Sequence, residues 1–203
     1  MSRIHLDSKF FTSETYCAKY NYLSKWECDD KEVAENGILK NPKTSYSTAT
    51  TFSWTFANKG PILVPPLHTN QVTSAPATFY NATPLDIENT LDKWDTSNVT
   101  DIQAIFQFSQ ITKTPKWNLN KVANTYNALY GCSHLINIRF YNLGCSIDLS
   151  TCPCLTRDGI IDFFTNGIKV ITTTQTITLG STLLAKLTDE DKKIATDKGW
   201  TLA

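Results

Sequence analysis

The 203-residue chain holds 19 Lys+Arg against 19 Asp+Glu, so it carries no net field to draw nucleic acid or an anionic membrane. It is long enough to bury a substantial core as one domain or two small ones, and no stretch nears the roughly 20 apolar residues that span a bilayer. The opening Met1-Ser2-Arg3-Ile4-His5-Leu6-Asp7 has no apolar h-region or small-residue cleavage site, which leads us to expect folding in a cytoplasm.

Residues 1 to about 60 begin with an aromatic stretch holding Phe10, Phe11, Tyr16, Tyr20, Tyr22 and Trp26. Core packing accounts for such residues, but buried aromatics also anchor interfaces. Phe10, Phe11, Tyr16, Tyr20 and Trp26 are therefore a candidate attachment surface. From Ser45 to Ala57 the chain alternates, with Phe52, Trp54 and Phe56 on one face and Thr51, Ser53 and Thr55 on the other. That period of two with aromatic and β-branched residues predicts a strand, and Asn58-Lys59-Gly60-Pro61 predicts the turn that ends it.

Between Leu67 and Ile138 runs an internal repeat. Val72, Val99 and Val122 align, 27 and then 23 residues apart. Five residues before each valine stands Leu67, Trp94 or Trp117, seven after it Phe79, Phe106 or Leu129, and twelve or thirteen after it Leu85, Ile111 or Leu135. A period in the twenties with recurring apolar anchors predicts a stacked solenoid, and these twelve residues are its expected core. Each unit is too short to bury its own apolar side, so stacking supplies stability and the ends require caps. Within the middle unit, Ile102, Ile105 and Phe106 at helical spacing predict a short helical turn over Asp101 to Phe108.

The tail carries a longer strand–helix pattern. Ser146 to Leu149 and Thr176 to Gly180 read as strands, Arg157 to Asn166 and Asp189 to Lys198 as helices. Thr188 is a suitable N-cap ahead of Asp189, Glu190 and Asp191, while Gly167 and Gly199 suit helix ends.

Six cysteines are present: Cys17, Cys28, Cys132, Cys145, Cys152 and Cys154. The last four are spaced C-x12-C-x6-C-x-C, without the paired knuckles of a structural zinc site. Stacked core thiols, disulfides and a metal site all remain open at this point. The histidines are His5, His68 and His134, and the chain has no H-E-x-x-H, G-x-S-x-G or phosphate-loop motif. We expect no enzyme activity, no catalytic residues, no cofactor and no metal. Asp95-Thr96-Ser97-Asn98 and its counterparts form a polar strip that either binds a ligand or serves the backbone between coils.

Trp94 to Thr100 resembles the W-D-T-S-N-V-T motif of BspA-like leucine-rich-repeat surface proteins, and Tyr130-Gly131-Cys132-Ser133-His134-Leu135 is similar to the motif's second half. The tail, from Ile177 to Leu202, looks like the segment that closes such repeats in gut bacteria and their phages. The resemblance spans roughly residues 66 to 203. It implies a short leucine-rich-repeat-like solenoid; together with the patterns above, the expected architecture is an α/β repeat fold with a strand-rich N-terminal module over 1–62, repeats over 63–143 and a strand–helix C-terminal cap over 144–203. It also implies a role in adhesion or particle structure. The leading expectation is a tailed-phage virion protein (a head fibre, decoration or tail-associated protein) that contacts capsid or tail proteins and forms a homo-oligomer. The alternative is a bacterial cell-surface adhesin for host glycan or protein. Neither involves nucleic acid or membrane insertion.

Overall fold

The computed structural model describes residues 50–59, 61–64 and 69–203. Across the first half, consecutive coils of chain lie in parallel register. Bridges join Thr51 to Ser74, Ser74 to Asp101 and Asp101 to Asn124, steps of 23, 27 and 23 residues. Beside them, alternate amides point at the neighbouring coil. Phe52, Trp54, Phe56 and Asn58 donate to the carbonyls of Ser74, Pro76, Thr78 and Tyr80 at 2.7–3.0 Å. Ala75, Ala77, Phe79 and Asn81 donate in the same way to Asp101, Gln103, Ile105 and Gln107. Ile102, Ala104, Phe106 and Phe108 continue the ladder to Asn124, Tyr126, Ala128 and Tyr130.

The intervening amides fold back in three-residue steps, such as Thr55 to Phe52 O and Ile105 to Ile102 O, so the backbone is paired within as well as between coils. A left-handed pair four residues apart makes this possible. It falls at Trp54 and Asn58, Ala77 and Asn81, Ala104 and Phe108, then Asn127 and Gly131, all with φ between 48° and 73°.

This geometry corrects two sequence expectations. Thr51 is a lone bridge residue and 53–58 are consecutive turns rather than a strand: Phe52, Thr55 and Phe56 are buried while Trp54 is 43% exposed. The left-handed φ at Trp54 breaks the two-residue alternation, and the segment joins the same ladder as the later coils, inside the stretch assigned to an N-terminal module over 1–62. Likewise 101–108 is not helical. Ile102, Ile105 and Phe106 do turn inward, but left-handed Ala104 and Phe108 prevent a helix.

Side chains stack inside the coils. Phe56, Phe79 and Phe106 lie ring on ring, each pair 5.3 Å apart and within 8° of parallel. Beside them Trp94 and Trp117 stack at 5.7 Å, and Trp117 and Phe140 at 6.1 Å. The Trp117 indole N–H donates to Leu91 O at 2.7 Å, which satisfies the polar atom of a fully buried ring. Short strands β1 (Pro61–Leu63) and β2 (Thr83–Leu85) pair in parallel nearby.

The longer 27-residue step is absorbed between β2 and Trp94 by a left-handed Asp86 and a 3-10 turn at Leu91–Lys93. That extra loop displaces the alignment of the first unit. Leu85, expected in the core, is 41% exposed, and Ile87 and Leu91 are buried instead.

Beyond the coils a parallel sheet runs in the order β3 (Ile147–Asp148), β4 (Gln175–Thr178), β5 (Trp200–Leu202). Helix α1 (Arg157–Asp162) starts at Thr156, whose hydroxyl accepts from Gly159 N, and runs directly into a π-helical segment, Phe163–Gly167. Two further helices, α2 (Gly180–Leu184) and α3 (Asp189–Thr196), separate β4 from β5. Thr188 and Asp191 form a reciprocal capping box at the start of α3. Among the described residues no helix is long and apolar enough to cross a membrane.

Candidate functional site

Opposite the inward stacks, aromatic rings also reach the outside. Trp54 and Tyr80 pack at 5.0 Å, Tyr80 and Phe108 edge-to-face at 5.7 Å, and Phe108 and Tyr130 edge-to-face at 5.5 Å. One ring from each of four coils builds the column. Trp54, Phe108 and Tyr130 are 40–43% exposed, and Tyr126, four residues before Tyr130, is 67% exposed. The ladder holds these rings in register: Asn58 donates to Tyr80 O at 2.7 Å and Phe108 to Tyr130 O at 2.8 Å.

The rings leave the core for a backbone reason. Trp54 and Phe108 occupy left-handed positions themselves, while Tyr80 and Tyr130 precede left-handed Asn81 and Gly131. Edge-to-face pairs contribute roughly 0.5–1.5 kcal/mol beyond area burial, so the column is partly self-supporting. Its open faces still form a continuous apolar stripe, the kind of surface that marks interaction sites.

Sequence reasoning placed Trp54 on a strand face and passed over Tyr80, Phe108, Tyr126 and Tyr130. The signal was present as a second aromatic one or two positions after each inward anchor: Phe79-Tyr80, Phe106-Gln107-Phe108, Leu129-Tyr130.

The polar strip is used inside the molecule. Thr69 and Thr96 hydroxyls donate to Asp95 O and Asn118 O, at 2.8 and 3.0 Å. Asp95 Oδ1 accepts from Ser97 N, Asn98 Nδ2 donates to Asn70 O, and Lys121 Nζ donates to Asn98 Oδ1. Asn142 Nδ2 donates to Asn118 Oδ1 at 3.1 Å. These side chains hold coil to coil.

Among the expected core anchors, Val72, Phe79, Trp94, Val99, Phe106, Ile111, Trp117, Val122, Leu129 and Leu135 are all at most 6% exposed. Leu67 lies outside the described residues, as do His5, His68, Cys17, Cys28 and the attachment candidates Phe10, Phe11, Tyr16, Tyr20 and Trp26.

Cys132, Cys145, Cys152 and Cys154 are free thiols. Cys132 Sγ faces Phe106 O at 2.9 Å, and Cys152 Sγ faces Leu129 O at 3.2 Å. Burial raises the Cys132 thiol well above its ordinary value and pushes Cys152 up to about 12, so both are packing groups rather than nucleophiles. His134 is exposed, with Nδ1 3.2 Å from Ser133 Oγ. Among the described residues, no three or more His, Cys, Asp or Glu side chains gather where they could hold a metal ion.

Residues 46–147 match the model of a family described as "Mycoplasma protein of unknown function, DUF285". No curated protein and no solved structure matches the chain.

Proposed function

Because the chain belongs to the DUF285 family, whose model takes in half of it, we propose a non-enzymatic display protein: a short leucine-rich-repeat-like solenoid of the BspA-like kind that presents a lateral recognition stripe. The exposed column Trp54–Tyr80–Phe108–Tyr130 carries this reading. Rings held rigidly by a backbone ladder offer contact area at little ordering cost, and Trp and Tyr dominate binding hot spots.

The setting we propose is a tailed-phage particle, as a head fibre, decoration or tail-associated protein. The N-terminal residues would contact the capsid or tail, and the coils would face outward as a homo-oligomer. Support comes from the tail segment Ile177–Leu202, which resembles repeat ends found in gut bacteria and in their phages. A second reading, a bacterial cell-surface adhesin for host glycan or protein, is favoured by the matched family's description, which names a bacterium.

Co-sedimentation of the full chain with purified phage particles, and separately with bacterial and host cells, tests this. Attachment to particles, with recognition of a further target lost on joint Trp54→Ser, Phe108→Ser and Tyr130→Ser substitution, is the expected result. Binding to cells without particle attachment establishes the adhesin instead. Cell binding untouched by the triple substitution removes the aromatic column as the recognition surface.

A further inference from the structure

A second site lies where the coils meet the α1–π segment. An open cleft of about 350 Å³ is lined there by Lys116, Arg139, Tyr141, Asp162, Asn166 and Gly167. Its size is near the lower end of ligand sites, which run roughly 300–1,000 Å³.

Three chain segments supply the lining, and each is fixed. Tyr141 is held by its backbone, with its N–H donating to Trp117 O and its carbonyl accepting from Leu119 N. Asp162 and Asn166 stand four residues apart across the π-helical widening, a feature common at functional sites. Asn166 Nδ2 donates to Asp162 Oδ1 at 2.7 Å, which orients both groups. Gly167 must stay bare, since a Cβ there would fall 2.2 Å from Phe163 Cδ2 and 2.9 Å from Phe140 O.

The charges decide what class of molecule fits. The Arg139 charge is offset by Asp92, to which its Nη2 is bonded, and by Glu88, 3.9 Å from its Nη1, while Nη1 itself is buried without a hydrogen-bond partner among the described residues. That leaves the exposed Lys116 ammonium and the exposed Asp162 carboxylate, one of each sign. One charge of each sign side by side gives no net attraction for a singly charged ligand. It does offer what a polyol needs: the Lys116 ammonium as donor, Asp162 Oδ2 and Asn166 Oδ1 as acceptors, and the half-buried Tyr141 ring as an apolar wall.

We propose that this cleft binds a single uncharged pyranose unit, with Lys116, Asp162 and Asn166 hydrogen-bonding adjacent hydroxyls against the Tyr141 side chain. The site is separate from the aromatic column and does not depend on it.

Saturation-transfer NMR on the full chain, with the methyl glycosides of glucose, galactose, mannose and N-acetylglucosamine as probes and acetate as the ionic control, tests the proposal. At least one glycoside takes up saturation, and Asp162→Ala or Asn166→Ala weakens its binding about tenfold. Both residues are exposed, so the variants keep the wild-type melting temperature. Tyr130→Ser leaves the signal unchanged. The proposal fails if none of the four glycosides gives transfer, or if acetate gives transfer in their place. It also fails if transfer survives Asp162→Ala but vanishes in Tyr130→Ser, which puts the saccharide on the column.

Discussion

The Phe108 ring lies directly across Gly131 of the next coil: a Cβ on that glycine would stand 2.5 Å from Phe108 Cδ1 and 2.9 Å from Cε1. Gly131 also has φ +73°, where a side chain is strained. One missing methyl thus lets the ladder turn and lets the outer aromatic lie flat enough to reach Tyr130. Gly131→Ala should cost about 1–3 kcal/mol in urea unfolding, and Phe108→Ala in the same chain should return part of it by removing the clash. If the two changes are simply additive, Phe108 does not depend on Gly131.

Ala77 and Ala104 hold left-handed φ values of 52° and 53° without the freedom of glycine. A left-handed alanine costs roughly 1–2 kcal/mol. Ala104→Gly should therefore raise stability or leave it unchanged, although glycine ordinarily loses about 0.5–1 kcal/mol against alanine. Ala128, buried and not left-handed, provides the contrast, and Ala128→Gly should lower the melting temperature.

Inner and outer rings should also part company. Phe106 is fully buried between Phe79 and Trp117, with centroids at 5.3 and 5.6 Å. Phe106→Ala should cost about 3–5 kcal/mol and broaden unfolding, because the cavity opens in the middle of the stack. Phe108→Ala, two residues on, should cost less, about 1–3 kcal/mol, the worth of its two edge-to-face contacts. Equal losses from the two would mean that the outer column is core.

The inward anchors were legible because a 23–27-residue period survives in residue identity: Trp94 over Trp117, Phe79 over Phe106, Val99 over Val122. The tail helix was legible from Thr188 and its acidic first turn, which form the capping box. Backbone handedness was not. Asn58, Asn81, Asn127 and Gly131 are residues that tolerate φ > 0, but Trp54, Ala77, Ala104 and Phe108 hold it only because the ladder to the next coil imposes it. Local pattern alone therefore turned 51–57 into a strand and 101–108 into a helix. The column and the cleft were hidden for a related reason. Tyr80 and Phe108 sit at different positions of their coils, and Lys116, Tyr141 and Asp162 come together only once coils and helix have docked.

The C-terminal region should carry an acid-sensitive latch. Arg157 of α1 grips Asp191 of α3 through two bonds, Nε to Oδ2 at 2.8 Å and Nη2 to Oδ1 at 2.7 Å. Asp191 Oδ2 also accepts from Thr188 N at 2.9 Å. The Thr188 backbone N–H is the chief cause that holds the Asp191 carboxyl below its ordinary value, and Arg157 adds to it. A carboxyl depressed in the folded state stabilises above its unfolded pKa, about 3.9, and loses that contribution as pH falls through the lower folded value. Urea midpoints should therefore fall more steeply below about pH 4 in the native chain than in Asp191→Asn, with the two curves parallel near neutrality. Arg157→Gln should flatten the acid limb less than Asp191→Asn, because the Thr188 bond survives. Thr188→Ala removes the other half of the capping box and should cost about 1 kcal/mol across the whole pH range. A native chain whose acid limb matches that of Asp191→Asn would show that the latch contributes nothing.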